Sequence, residues 1–276
     1  MLESERPIGI IDSGIGGFSV ARRIRELLPE EDLLYFGDGA NTPYGNHSAE
    51  EILALARYML RFMDERGVKA LLVACNTISC LMDQYQDETN CPVFSVVQAG
   101  VRAVGELPIK KVGVISTVFT HSTGCYARLI QATAPDKTVV SHGCANLAGL
   151  IERYLGDPAG RELVDADLQL ELDGLVTQDR IGCCVLGCTH YPLVEENIHR
   201  LYPDLPLVDP ARQMTRELKG YLERRGLRNS GDNVGSLEIY TTGSVEEYAQ
   251  KARSAGLEPV QSVEHYPPMK RSLVEM

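Results

Sequence analysis

Apolar residues along this chain fall into short continuous runs that each stop at a polar or glycine-rich cluster. Ile8-Gly9-Ile10-Ile11 runs into Asp12-Ser13-Gly14-Ile15-Gly16-Gly17, and Leu33-Leu34-Tyr35-Phe36 runs into a loop from Gly37 to Asn46. Leu71-Leu72-Val73-Ala74 stops at Cys75-Asn76-Thr77, and Val185-Leu186-Gly187 stops at Cys188-Thr189-His190. Runs of this kind read as strands of a parallel sheet buried on both faces. Between them the period lengthens. Phe18 to Leu28 predicts a helix closed by Pro29. Ser48 and Glu51 form a capping-box pattern ahead of Ile52, Leu55, Ala56, Met59, Leu60 and Met63 at helical spacing, with Gly67 just past the end. Strands alternating with helices predict an α/β protein with mainly parallel sheets.

The pattern starts twice. After Pro92 to Val97 it begins again at Lys111-Val112-Gly113-Val114-Ile115-Ser116-Thr117. An amphipathic segment from Arg161 to Val176 precedes the Cys188 strand much as the Ser48 helix precedes the Cys75 strand. Two similar halves follow, with a boundary near residue 98, although no repeat shows residue by residue. From Asp209 the chain adds a helix, a polar loop (Arg228 to Ser236), a strand at Leu237 to Thr241 and a further helix. The simplest arrangement returns this tail to the first half. That gives a discontinuous domain of residues 1–98 plus 209–276 and a second domain of residues 99–208.

Composition narrows the function. At 276 residues, 44% hydrophobic and 24% charged, the chain is an ordinary globular protein with room for two domains. A net charge of −11 argues against nucleic acid as a partner, because phosphate binding needs clustered Lys and Arg. The eight cysteines form no C-x-x-C pair, which points to a reducing, cytoplasmic setting. The charged start, Met1-Leu2-Glu3-Ser4-Glu5-Arg6, does not read as a signal peptide, and no apolar stretch reaches the ~20 residues of a membrane helix.

In open α/β sheets, ligands bind at the carboxyl ends of the strands. Cys75 and Cys188 occupy matching ends in the two halves, which suggests one acid/base on each face of a substrate. Inverting a carbon stereocentre by proton transfer needs that arrangement. A thiol is an effective base only as thiolate, with a free pKa of ~8.5. His190, of a type titrating near ~6.5, is a proton partner or local cation for Cys188, while Asn76 and Thr77 offer donors to a carboxylate. The Asp12 to Gly17 stretch departs from the dinucleotide fingerprint: Ser19 stands where its last Gly belongs, and Asp12 would repel a pyrophosphate. It reads either as a packing turn or as an acid and a hydroxyl presented beside the Cys75 strand. The turn residues Asn41-Thr42-Pro43-Tyr44-Gly45 are accounted for by loop chemistry. Cys184, Cys188 and His190 have a weak metal-ligand look, but two cysteines on one extended strand and no second pair speak against a metal. The local signature of a papain-like nucleophile is absent.

With these residues in hand, the chain resembles the glutamate racemases, the cofactor-independent amino-acid racemases that supply D-glutamate for bacterial peptidoglycan. The motifs that carry the resemblance are Asp12-Ser13-Gly14-Ile15-Gly16-Gly17, Gly37-Asp38 with Pro43-Tyr44-Gly45, Ala74-Cys75-Asn76-Thr77, Gly113-Val114-Ile115 on to Thr117 and Thr120, Leu186-Gly187-Cys188-Thr189-His190-Tyr191-Pro192-Leu193, and the late Thr242-Gly243-Ser244. It implies two Rossmann-like or flavodoxin-like α/β domains related by a pseudo-twofold, with the active site in the cleft between them. By the same resemblance Cys75 is the base toward D-glutamate and Cys188 the base toward L-glutamate. Asp12 assists the first, and His190 and Glu152 the second. Asp12, Ser13, Tyr44, Gly45, Asn76, Thr77, Thr117, Thr120 and Thr189 match positions that hold the substrate. The resemblance implies glutamate as the small-molecule partner, no cofactor and no metal, a cytoplasmic homodimer, and no contact with nucleic acid or membrane.

The chain departs from the family's pattern at Gly39-Ala40-Asn41, Ile78, Ser95 to Gln98 and Asn146-Leu147-Ala148-Gly149-Leu150. Two alternatives therefore stay open. One is a racemase of aspartate or another α-amino acid. The other is a racemase scaffold acting as a regulator that binds DNA gyrase, which the acidic charge would suit.

Overall fold

A computed structural model describes residues 2–231 and 233–269. In chain order its regular elements are β1 (Ile8–Asp12), α1 (Phe18–Leu27), β2 (Leu33–Gly37), α2 (Ala49–Arg66), β3 (Ala70–Val73), α3 (Asn76–Ser79), β4 (Val93–Ser95), α4 (Val96–Gly105), β5 (Lys111–Thr117), α5 (Val118–Ser122), α6 (Cys125–Thr133), β6 (Thr138–Cys144), α7 (Leu147–Tyr154) and α8 (Arg161–Asp173). They continue with β7 (Cys183–Gly187), α9 (Glu195–Leu201), β8 (Leu207–Val208), α10 (Pro210–Arg225), β9 (Leu237–Thr241), α11 (Val245–Ser254) and β10 (Ser262–His265). Short 3-10 turns link several of them, and α8 runs on into a π-helical turn at Gly174–Gln178.

The strands form two all-parallel sheets, ordered β10-β9-β2-β1-β3-β4 and β6-β5-β7-β8. The four strands β2-β1-β3-β4 have the same order as β6-β5-β7-β8, so the second half repeats the first at the level of topology. The tail returns to the first sheet, where β9 pairs with β2 from Leu33↔Leu237 to Gly37↔Thr241 and β10 adds to β9. Among the described residues, no helix is long and apolar enough to cross a membrane.

Period-two alternation splits each central strand between two cores. From β3, Ala70, Leu72 and Ala74 enter one core, while Leu71, Val73 and Cys75 enter another beneath α2. From β7, Cys183 and Val185 enter the first core, while Cys184, Leu186 and Cys188 enter a third with α7, α8 and α9. The first core is common to both sheets and includes Met214, Leu218 and Leu222 of α10, which packs on α1 and α4. Both candidate thiols therefore lie on the sheet faces turned away from the shared core.

Local chemistry sets the element ends. Ser48 accepts from Glu51 N while the Glu51 carboxylate accepts from Ser48 N, and Gly67 closes α2 with φ +65°. A cap of this type contributes about 1 kcal/mol. Gly9 lets α2 reach β1, since a Cβ there would come within 2.9 Å of the Met63 sulfur. Between the halves, buried Arg23 of α1 donates to Asp209, the cap of α10, at 2.9 Å and to Glu195 of α9 at 2.8 Å. Removing one partner of such a buried network strands the remaining charge.

Candidate active site

The carboxyl ends of β1, β3, β5 and β7 converge, and the bonds between them run crosswise. At the end of β1, Asp12 is fully buried. Its Oδ1 accepts from Gly14 N at 2.9 Å and its Oδ2 from the Thr189 hydroxyl, just after β7, at 3.1 Å. At the end of β5, Thr117 meets Thr77, just after β3, at 3.2 Å between hydroxyl oxygens. Thr117 also caps α5 by accepting from Thr120 N, and Thr120 lies 3.1 Å from the Thr117 hydroxyl and 3.4 Å from that of Thr77. Each half thus contributes one strand end to the other half's thiol loop.

Cys75 is buried, with its sulfur 3.5 Å from the Ser13 hydroxyl. Burial pushes its thiol up to about 12, and the charge of Asp12 adds to the rise, against hydrogen bonds from Ser13 and the Ile78 backbone. Cys188 stands differently. Its sulfur is 3.6 Å from His190 Nδ1, and His190 Nε2 is hydrogen-bonded to Glu152 of α7. Burial alone would strip the proton from His190, but the Glu152 carboxylate and Cys188 outweigh it and hold the imidazole well above its ordinary value. One thiol therefore faces a cation, and the other faces a hydroxyl in an apolar pocket.

Glu152 also accepts from Ile15 N at 3.5 Å, so the glycine turn after β1 touches both His190's partner and Thr189's partner. The closeness depends on glycine. A Cβ at Gly16 would lie 2.3 Å from Thr189 Oγ1 and 2.6 Å from His190 Nδ1, and one at Gly14 would lie 3.0 Å from Glu152 Oε2. Gly16→Ala is expected to displace the loop after β7, costing about 1–3 kcal/mol of stability by overpacking. The accompanying fall in kcat should be on the order of 10²-fold, the effect of a misplacement of about 1 Å. Thermal unfolding and steady-state rates on the purified variant check both. Wild-type kcat would show that the loop yields without harm.

The residues that the resemblance assigns to the site lie in this region or on its rim. The Tyr44 hydroxyl is committed to Asp38 at 2.5 Å, and Asp38 also accepts from Asn41 and Thr242. Gly45 faces Thr117, where a Cβ would lie 3.5 Å from Thr117 Cβ. Sequence reasoning missed Tyr126 of α6, whose hydroxyl donates to Asn76 Oδ1 at 2.7 Å. That bond orients the amide, and Asn76 Nδ2 is left buried with no protein partner. A buried donor without a partner costs about 1–3 kcal/mol, so it is poised to meet an acceptor supplied by a ligand. Near the mouth, Gly45, Thr117, Cys144, Asn146 and Arg153 line a cavity of about 450 Å³.

The arrangement matches a known family. The sequence profile of the Asp/Glu/Hydantoin racemases matches residues 8–218. The chain belongs to that family. It is 37% identical over 254 residues to glutamate racemase 2 of Caldanaerobacter subterraneus subsp. tengcongensis, covering 90% of this chain and 92% of that protein. It is 40% identical over 240 residues to the glutamate racemase of Syntrophus aciditrophicus, covering 86% and 87%. The crystal structure of glutamate racemase from Francisella tularensis subsp. tularensis SCHU S4 with D-glutamate superposes with a TM-score of 0.85 at 32% identity, covering 98% of this chain and 99% of that one. The racemase fold expected from the sequence is the fold observed, with parallel sheets in both halves.

Proposed function

We propose that this member of the racemase family is an isomerase that interconverts L- and D-glutamate without a cofactor, by a two-thiol proton transfer, and supplies D-glutamate for peptidoglycan. Cys188, as thiolate beside the His190 imidazolium, takes the α-proton of L-glutamate. The electron pair moves into the α-carboxylate, and Cys75 delivers its thiol proton to the opposite face. D-glutamate leaves with Cys75 as thiolate and Cys188 as thiol, and the reverse reaction retraces each step. A thiol held up to about 12 is protonated in neutral water, so Cys75 is ready to deliver a proton.

The developing charge needs fixed donors in a cleft that excludes water. Asn76 Nδ2 suits an α-carboxylate oxygen, with Ser13, Thr77, Thr117, Thr120, Thr189 and the Tyr44-Gly45 turn around it. Asp12 offers an acceptor to the substrate ammonium, and Glu152 holds the His190 proton in place. The observation carrying this reading is the crosswise bonding of Asp12 to Thr189 and of Thr77 to Thr117, which sets the two thiol-bearing strand ends against one cleft. The two-domain division is supported by sheet membership, β1 to β4 with β9 and β10 in one sheet and β5 to β8 in the other. The eight free cysteines suit a reducing cytoplasm.

The test is incubation with enantiopure L- or D-glutamate in deuterated water, followed by circular dichroism and the α-proton NMR signal. Both enantiomers should converge on the racemate, with deuterium at the α-carbon. Inert glutamate alongside racemised aspartate would move the assignment to the other substrate of the family.

A further inference from the structure

A second cluster of chemically active side chains lies on the outer face of the second sheet. His142 and Cys144 stand two residues apart on β6 and so share a face of the strand. Gly143 between them turns the other way, toward His121. Glu171 of α8 packs against the His142–Cys144 face, with its Oε2 hydrogen-bonded to His142 Nε2. The imidazole nitrogen, the thiol sulfur and a carboxylate oxygen all lie within 4.8 Å of one another, the cluster of this kind found among the described residues. Cys144 is 2% exposed and Glu171 8%.

We propose that His142, Cys144 and Glu171, none of which is assigned to racemisation, bind a thiophilic divalent cation of the Zn2+ kind beside the cavity that Gly45 and Thr117 also line. One sulfur, one nitrogen and one oxygen donor are the mixed set that such an ion takes, at bond lengths of about 2.0–2.3 Å. Tetrahedral ligands at those lengths stand roughly 3.3–3.8 Å apart, so the hydrogen-bonded His142–Glu171 pair must open slightly and the widest separation must close by about 1–1.5 Å. Three protein ligands leave a fourth position for water. One turn before Glu171 on the same helix face, Asp167 is 9% exposed, and its Oδ2 is buried with no hydrogen-bond partner. It lines the 450 Å³ cavity together with Cys144. A water on the ion would satisfy that oxygen, and the cavity gives the ion its way in. The charges agree as well: Cys144 gives up its proton on binding, and its thiolate and the Glu171 carboxylate together balance a dication, with His142 as a neutral donor.

Co2+ is the probe, added to the chelator-treated full-length protein. One equivalent should produce a near-ultraviolet sulfur-to-cobalt band and the intense visible bands of a four-coordinate site, and Zn2+ should abolish both. The competing explanation is the pair of catalytic thiols beside His190. The spectrum should therefore persist in the Cys75→Ser/Cys188→Ser double variant and lose its sulfur band in Cys144→Ser. Glu171→Gln keeps the thiol in place. It should weaken Zn2+ binding by more than the ~10–100-fold typical of a supporting residue, with Asp167→Asn falling within that range. Absence of the sulfur band at one equivalent would overturn the site. So would a band that survives Cys144→Ser or disappears in the Cys75→Ser/Cys188→Ser double variant, and so would unchanged affinity in Glu171→Gln.

Discussion

Replacing Cys75 or Cys188 with alanine is expected to lower racemisation of glutamate by about 10²–10⁴-fold, the contribution of a positioned acid/base. The two variants should nevertheless differ in what they retain. Cys75→Ala keeps the Cys188–His190–Glu152 array and should still exchange the α-proton of L-glutamate with solvent while returning L-glutamate. Cys188→Ala should exchange only D-glutamate. That exchange needs the Cys75 thiolate, and burial pushes the thiol up to about 12. The thiolate fraction then grows about tenfold per pH unit below that value. The D-side exchange rate of Cys188→Ala should climb with the same slope from neutral to alkaline pH. In the unmodified enzyme kcat/KM must be equal for the two enantiomers at every pH, because their equilibrium constant is one. The asymmetry therefore shows only once a thiol is missing. Either alanine variant racemising near the unmodified rate would end the two-thiol scheme.

How much of this was legible beforehand follows from burial. β1, β3, β5 and β7 lie centrally and are covered on both faces, so each is an unbroken apolar run that names itself. β6, β8 and β10 escaped because they are edge strands: β6 carries Ser141 and His142 at half-buried positions, β8 is two residues long, and β10 is half exposed. The helices that follow Ser95 and Gly124 were passed over because neither has what revealed α2, a reciprocal cap ahead of an 18-residue stripe: α4 spans Val96–Gly105 and α6 only Cys125–Thr133. The thiols were legible from strand ends, and so were Asn76, Thr77, Thr189 and His190 beside them. Glu152 came from resemblance alone, since nothing local marks a helical glutamate as the partner of a histidine 38 residues further on. Tyr126 left no trace at all. It sits on an apolar helix position, and its meaning comes from Asn76, 50 residues earlier and in the other half. Contacts of that range are made by the fold and have no local spelling.

Asp12→Asn is expected to stabilise the protein in neutral buffer while removing much of its activity. The carboxyl is fully buried, and burial raises it from 3.8 to about 6 despite the His190 charge and the bonds from Gly14 and Thr189. A folded value above the unfolded one means that the neutral acid stabilises the fold. That stability is complete below pH 4 and is lost as pH rises through 6. Ionised Asp12 thus costs about 3 kcal/mol at pH 8, from the printed rise and 1.36 kcal/mol per unit. Asparagine has the same shape, still accepts from Gly14 N, and carries no charge. Denaturant unfolding should therefore show Asp12→Asn more stable by up to about 3 kcal/mol at pH 8 and no better than the parent at pH 4. The same carboxylate faces the substrate ammonium in the proposed cleft. Its loss should lower kcat by about 10²–10³-fold, as for other removed electrostatic contacts to a developing charge. For the parent enzyme, kcat/KM should fall as pH drops through 6, when Asp12 takes up its proton. An equal destabilisation at both pH values would make Asp12 a packing residue of the glycine turn, and an unchanged kcat would take it out of the chemistry.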